Sequence, residues 1–467
     1  MKIIKRLTTI LIIISMIIEG SSVAFAYNSA PQVIRDVKVY IDGVQFQTNE
    51  DFYNFNGTTL VPMRAFFEKL GAKVSWDTET QTVVADANGR IIELAINSKT
   101  AKINGEDKVL VVEPKLINDT TYVPLRFIAE SLMYEVDWDS TNKIISIIDT
   151  KTIKEQKQLK VYESSSFFKK DYIKMEIINN EMISIKGRTD LEKTNWLFKI
   201  DSIDTKSSII KEYKEIKSNN MYEDTFTLKD KLKEGEYKIS IYFKDNYDSM
   251  FWGYYWDIPL KYEDGEIFFP ISPVYENNYL EFMKNSVIEP ENYLNITIKN
   301  ESERKQIEDL ANEITKGAKS DYDKLLEIND WVAQNIYYDW DGYITGTYGR
   351  TDAYGTLEAR KSVCQGYAEL TNALLRAVGI PSRLVSGHAL GVSALGEYWN
   401  DVNHTKANHA WNEAFVDGRW VILDTTWNSG NKYENGTFKK GTMSYRYFDP
   451  SLEAFSYTHK IIDIDKE

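Results

Sequence analysis

The chain has 467 residues, with 70 acidic against 56 basic side chains and a formal net charge of −14. That balance argues against nucleic acid or an anionic membrane surface as the main partner. A single cysteine rules out an intrachain disulfide and leaves Cys364 buried, a route to dimers, or reactive.

At this length two or three domains are expected. The chain opens MKIIKRLTTILIIISMIIEGSSVAFA. Lys2, Lys5 and Arg6 precede an apolar run from Ile10 to Ile18, and small residues close on Ala24-Phe25-Ala26. This order predicts a secretory signal peptide over residues 1–26, and the run is short for a retained anchor. No later apolar run is long enough to span a bilayer.

Residues 33–149 contain an internal repeat. "TTLVPMRAFFEKLGAKVSWDTETQTVV" at 58–84 is echoed by "TTYVPLRFIAESLMYEVDWDSTNKIIS" at 120–146, aligning Pro62 with Pro124, Arg64 with Arg126 and Trp76 with Trp138. Each copy reads as a short strand, a helix starting near the proline, and a hairpin around W-D-x-x-T. Two stacked units make a scaffold; the sharper alternative is a groove with Arg64 and Arg126 as matched donors. The segment resembles the domain named after the amino-terminal part of copper amine oxidases, found in bacterial surface proteins. That resemblance implies a stalk-like α+β domain. It implies no copper, since the segment has neither histidine nor cysteine.

Residues 150–162 are charged and read as a linker. From 163 to 280 alternating stretches such as "YIKMEI" and "EYKISIYF", with turns expected at Gly187, Glu234-Gly235 and Asp264-Gly265, predict a small antiparallel β-sandwich. "MFWGYYWDIPL" reads as a packed aromatic core or interdomain contact rather than a sugar platform.

Residues 281–467 change character. "SDYDKLLEINDWVAQNIYY" is helical in period, with Ser320 as cap and Leu325, Ile328, Val332 and Ile336 on one stripe. In "SVCQGYAELTNALLRAVGIPSR", Ser362 is the expected N-cap, Tyr367, Leu370, Leu374 and Val378 form the stripe, and Gly379 with Pro381 mark the stop. Cys364 then lies in the first helical turn, where unpaired amides favour thiolate over thiol.

A nucleophilic cysteine needs a base, and the histidines are His388, His404, His409 and His459. "NHAWNEAFVDGRWVILDTTW" reads as a hairpin turning at Asp417-Gly418, the favoured two-residue loop. That turn sets Val416 opposite Arg419 and Trp411 opposite Asp424, so His409 and Asp424 become diagonal neighbours on one face. A one-residue change in the loop would separate them. Cys364 would attack an acyl carbon, His409 would move the proton, and Asp424 would orient the imidazole. The Cys364 amide is the first oxyanion donor; Tyr338, Gln365 and Trp411 are candidates for oxyanion or supporting roles. The spacing of His404 and His409 without further thiols does not make a zinc site, and His388 and His459 stand as supporting groups. No metal and no cofactor are expected, and no calcium-loop signature is present.

Here the motifs Cys-x-Gly-Tyr-Ala, His-Ala-Trp-Asn and Asp-x-Thr-Trp, with the terminal "YFDPSLEAFSYTH", resemble the bacterial transglutaminase-like domain of the papain-like superfamily. The resemblance carries a catalytic triad onto Cys364, His409 and Asp424. It leaves hydrolysis, deamidation and crosslinking open. The expected architecture is multidomain α+β: a duplicated stalk-like domain, an antiparallel β-sandwich, and a papain-like domain. The function expected is exported acyl transfer on protein or peptide amides, with a cell-wall polymer as a further partner. The alternative is a non-catalytic surface binding protein that keeps the fold.

Overall fold

The computed structural model describes residues 30–87, 89–151, 158–164, 172–189, 193–217, 219–245, 252–391, 399 and 404–465. The expected signal segment, 1–26, lies outside the described residues. Among those described, no helix is long and apolar enough to cross a membrane. The chain forms two compact units, one from residues within 1–36 and 48–132, the other from residues within 37–47 and 133–467. The repeat-bearing segment 33–149 is therefore divided between them.

In the first unit the strands Thr58–Pro62 and Thr120–Pro124 of the two copies run antiparallel, with Val61 opposite Val123. Each helix starts next to its proline as expected, with Pro62 and Pro124 at the cap positions just outside Met63–Lys69 and Leu125–Ser131. The ring fixes φ but leaves ψ extended at 114° and 116°, so each proline ends its strand and aims the helix. Arg64 and Arg126 reach Glu68 and Glu130 on their own helices at 3.5 and 3.4 Å.

In the second unit the hairpin of Tyr134–Asp139 and Ile144–Asp149 takes Lys38–Ile41 as a parallel neighbour. Tyr40 and Ile144 pack there with Val287, Ile288, Tyr293 and Trp420. The stretch expected as linker already holds strand: Gln158–Leu159 pairs with Phe269 and Pro270, and Val161–Ser164 pairs with Ile173–Glu176. Residues 152–157 lie outside the described ones.

Two antiparallel sheets of six and four strands follow, packed on Trp196, Phe198, Tyr222, Phe226 and Phe243. Of the aromatic stretch at 250–260, Ile258 and Leu260 join this core; the side chains of 250–257 lie outside the description. Asp264-Gly265 turns as expected, both residues with positive φ. Gly187 does not. It lies inside the strand Met182–Arg188, where a Cβ would stand 2.1 Å from the Tyr222 ring. Close approach of that ring, whose hydroxyl donates to Tyr172 O at 3.0 Å, is what requires glycine there.

The last part packs the helices Glu301–Ile314, Asp321–Asn335 and Cys364–Ala377 against an antiparallel sheet ordered Arg419–Leu423, His409–Val416, Ser382–Ala389, His459–Ile464. Ser320 caps its helix through Asp323 N–H at 3.0 Å, and Leu325, Ile328, Val332 and Ile336 are fully buried. The Cys364 helix stops at Val378, with Gly379 in the left-handed conformation.

Candidate active site

Cys364 is the first residue of its helix, but the cap is Val363, with no side-chain cap. Ser362, expected as the cap, instead belongs to the two-residue strand Lys361–Ser362, which lies parallel to Tyr337–Asp339 with Ser362 opposite Tyr338. The strand pairing holds Ser362 extended and turns its hydroxyl inward. Gly366 follows from this packing, since a Cβ there would stand 2.1 Å from Ser362 Oγ and 2.3 Å from Thr356 Oγ1. The helix can seat its first turn this deeply only with glycine at that position.

The hairpin opposite has the expected register. Val416 faces Arg419 and Asn412 faces Leu423, with Asp417 and Gly418 both at positive φ. Period-two alternation then gives the strand two jobs. His409 and Trp411 face one way. Asn412 faces the other, donating to Ala368 O of the Cys364 helix at 3.0 Å. The motif thus carries both His409 and the tie that holds its strand to the Cys364 helix. A second tie joins Thr425 to Thr371 of the same helix, hydroxyl to hydroxyl at 3.1 Å.

Asp424 is fully buried and caps the short helix Thr425–Asn428, with Oδ1 accepting from Trp427 N–H at 3.0 Å. Its Oδ2 accepts from His409 Nε2 at 2.7 Å and from His459 Nε2 at 3.2 Å. Burial works against its charge, but the two imidazoles outweigh burial and hold the carboxyl well below its usual range. With Nε2 committed to Asp424, His409 stands beside Cys364, and each group shifts the other's proton affinity. Burial alone would lower the His409 pKa; Asp424 and the Cys364 sulfur reverse that and push it up to about 10. Burial likewise opposes the Cys364 thiolate, and His409 with the Ala410 amide brings the thiol down. Cys364 itself is half-buried. The buried imidazole and buried carboxylate beside the sulfur together favour a thiolate–imidazolium pair at neutral pH.

Of the supporting candidates, Trp411 is brought to the triad. It is buried against His459 and Phe455, with ring centroids 5.2 and 5.3 Å apart, over Gly387, where a Cβ would lie 2.2 Å from the indole. Tyr338 stands beside Cys364; burial, then the Cys364 charge, pushes its hydroxyl pKa up and keeps it neutral. It groups with Trp340 and Tyr343, 6.5 and 5.9 Å away by centroid. Gln365 turns away, donating to Glu369 Oε1 one turn along its own helix at 3.0 Å. His388 bonds Lys406 O at 3.1 Å, and His404 Nδ1 lies 3.1 Å from Lys460 Nζ.

Sequence reasoning missed Trp427, whose ring lies 5.5 Å from His409 and 4.6 Å from His459, and Asn278, which fixes the His459 strand. Trp427 was visible within Asp-x-Thr-Trp. Nothing in the sequence pointed to Asn278. The ligand-type atoms of His409, Asp424 and His459 lie within 4.8 Å of one another. Each side chain is already engaged by hydrogen bonding within the group.

Residues 308–425, which span Cys364, His409 and Asp424, match the Transglutaminase-like superfamily; residues 40–147 match the Copper amine oxidase N-terminal domain. The chain thus carries a transglutaminase-like domain behind an amine-oxidase-type amino-terminal domain. It is 28% identical over 142 residues to the Kyphoscoliosis peptidase of Mus musculus, covering 30% of this chain and 21% of that one. It is 27% identical over 122 residues to a Brevibacillus choshinensis protein named Protease inhibitor, covering 26% of this chain and 37% of that one. The chain therefore spans about a fifth of the peptidase it matches. Among solved structures it is similar to the periplasmic domain of TgpA from Pseudomonas aeruginosa, at 13% identity and a TM-score of 0.24, covering 58% of this chain and 89% of that one.

Proposed function

We propose that the chain is an exported, cysteine-dependent acyl-transfer enzyme acting on protein or peptide amides, secreted or held at a bacterial cell envelope. The observation that carries the reading is the 2.7 Å hydrogen bond of buried His409 to buried Asp424, set beside Cys364 at the start of its helix. The Cys364 sulfur attacks the amide carbon and the carbonyl electrons move to oxygen. The helix start faces that charge, ahead of the first intrahelical bond, which Gly366 N–H makes to Val363 O. In this reading Tyr338 is the second donor. Collapse expels the amine, which takes its proton from His409, and leaves a thioester on Cys364. An incoming water or amine then gives its proton to His409, attacks the thioester carbon, and releases the thiolate. Water gives hydrolysis; a lysine amine gives a crosslink. Export rests on the pattern of residues 1–26, and the amino-terminal domain and the sandwich place the enzyme domain near its substrate, with a wall polymer as a candidate partner.

The test is incubation of the protein with a peptide library and a primary amine, read by mass spectrometry, with Cys364→Ala alongside. The reading expects cleaved, deamidated or amine-linked products that vanish in the variant and a hydroxylamine-sensitive acyl adduct on Cys364. A second reading, binding without turnover, draws on the name Protease inhibitor of one relative. Tight peptide binding with no product and no adduct would select it.

A further inference from the structure

We propose that His459 is a positioning residue of this site: it fixes the Asp424 carboxylate in the rotamer that orients His409, making a working unit of four side chains rather than three. The inference rests on the catalytic reading above and deepens it. Both imidazoles donate from Nε2 to the same oxygen, Asp424 Oδ2, at 2.7 and 3.2 Å, while Oδ1 is taken by Trp427 N–H. A carboxylate held at both oxygens cannot rotate about its terminal bond without losing a partner. His459 Nδ1 lies 2.9 Å from Thr458 Oγ1. With the hydroxyl donating to Nδ1, the Nε2–H tautomer is selected, and that tautomer is the one able to donate to Asp424.

The surroundings hold His459 as tightly as it holds the carboxylate. It is fully buried, stacked on Phe455 at 4.2 Å and 13°, with the edges of Trp427 and Tyr447 at 4.6 and 5.2 Å. The titratable and charged groups facing it are Asp424, His409, Arg446 and Tyr447. Its backbone is clamped by buried Asn278, which donates to His459 O at 2.8 Å and accepts from Ile461 N–H at 2.7 Å. A neutral imidazole costs far less to bury than a second cation, so the site gains a donor without adding a charge. Both Asn278 and His459 lie outside residues 308–425, so this support is built from parts of the chain beyond the matched family segment.

The experiment compares the full-length protein with His459→Phe and His459→Gln. Phenylalanine keeps the stack and removes the donor; the glutamine amide restores a donor near the Nε2 position. The readout is the rate of Cys364 alkylation by iodoacetamide from about pH 5 to pH 9. The inference expects about ten-fold slower labelling at neutral pH in His459→Phe, an acid limb moved up toward an ordinary thiol, and recovery in His459→Gln. Wild-type rate and profile in His459→Phe would overturn it. So would an equal loss in both variants with the limb unmoved, since that marks a merely structural role. Should the Phe variant not fold, imidazole ¹⁵N shifts of the wild-type protein decide: a protonated Nε2 with a bare Nδ1 at neutral pH supports the inference, and any other state overturns it. If the wild-type thiol itself labels like a free cysteine, the catalytic reading fails first, and the two failures are thereby told apart.

Discussion

Asp424 gathers the hydrogen bonds of the candidate site onto two oxygen atoms. One closes a helix and the other accepts from both buried histidines. Replacing it with asparagine keeps the shape but puts an amide group where two N–H donors already point. His409 then loses its orientation, and turnover of any peptide substrate should fall by about 10² to 10⁴-fold; a loss under about three-fold would remove Asp424 from the mechanism. The same residues set a pH dependence of stability. Burial holds His459 down to about 4, against an ordinary 6.5. Between those values the unfolded chain binds the proton that the folded one refuses, so stability is complete above about 6.5 and lost as pH falls toward about 4. His409 has the opposite sign: pushed up to about 10, it contributes fully below about 6.5 and progressively less as pH rises through about 10. Calorimetry should therefore find the thermal midpoint highest near neutral pH and falling on both sides. A midpoint flat across the whole range would contradict both assignments.

At the scale of elements, the site depends on how one strand and one helix are tied. Asn412→Ala removes the amide between the His409 strand and Ala368 O, and should cost about 1–3 kcal/mol in denaturant titration while slowing Cys364 labelling. Gly366→Ala drives a methyl into Ser362 and Thr356 and should cost about as much, about 1–3 kcal/mol, from overpacking at the helix start. Either variant at wild-type stability would show that the two elements are held by something else. Much of this arrangement was legible in the sequence. An Asp-Gly pair allows one short hairpin, and its register alone brought His409 to Asp424. Gly379 and Pro381 stop a helix by local sterics, which sequence records directly. The misread positions share one cause. Ser362 looks like a cap, and Gly187 like a turn, until a distant partner is placed: Tyr338 pairs with the first, and the Tyr222 ring covers the second. Asn278 carries no local signal at all, because its contacts to Ser456, His459 and Ile461 lie more than 170 residues away.

For the whole molecule, the division of labour is itself testable. Cys364, His409, Asp424, His459 and Asn278 all lie after the sandwich, while Tyr40 and Ile144 cover Val287, Ile288 and Trp420 from the sheet that includes Lys38–Ile41. A chain beginning at Gln158 should keep fast Cys364 labelling yet melt earlier, since each large apolar side chain lost from that cover is worth about 1.5–3 kcal/mol. Loss of labelling with the fold intact would assign the amino-terminal part a direct role at the site. The central claim is tested most directly by the pH dependence of Cys364 alkylation in the wild-type protein and in His409→Ala, read by intact mass. A thiolate–imidazolium pair predicts fast labelling at neutral pH that persists well below the usual thiol range, and a return to ordinary thiol behaviour in the variant. Identical curves for the two proteins, both rising only above about pH 8, would contradict it.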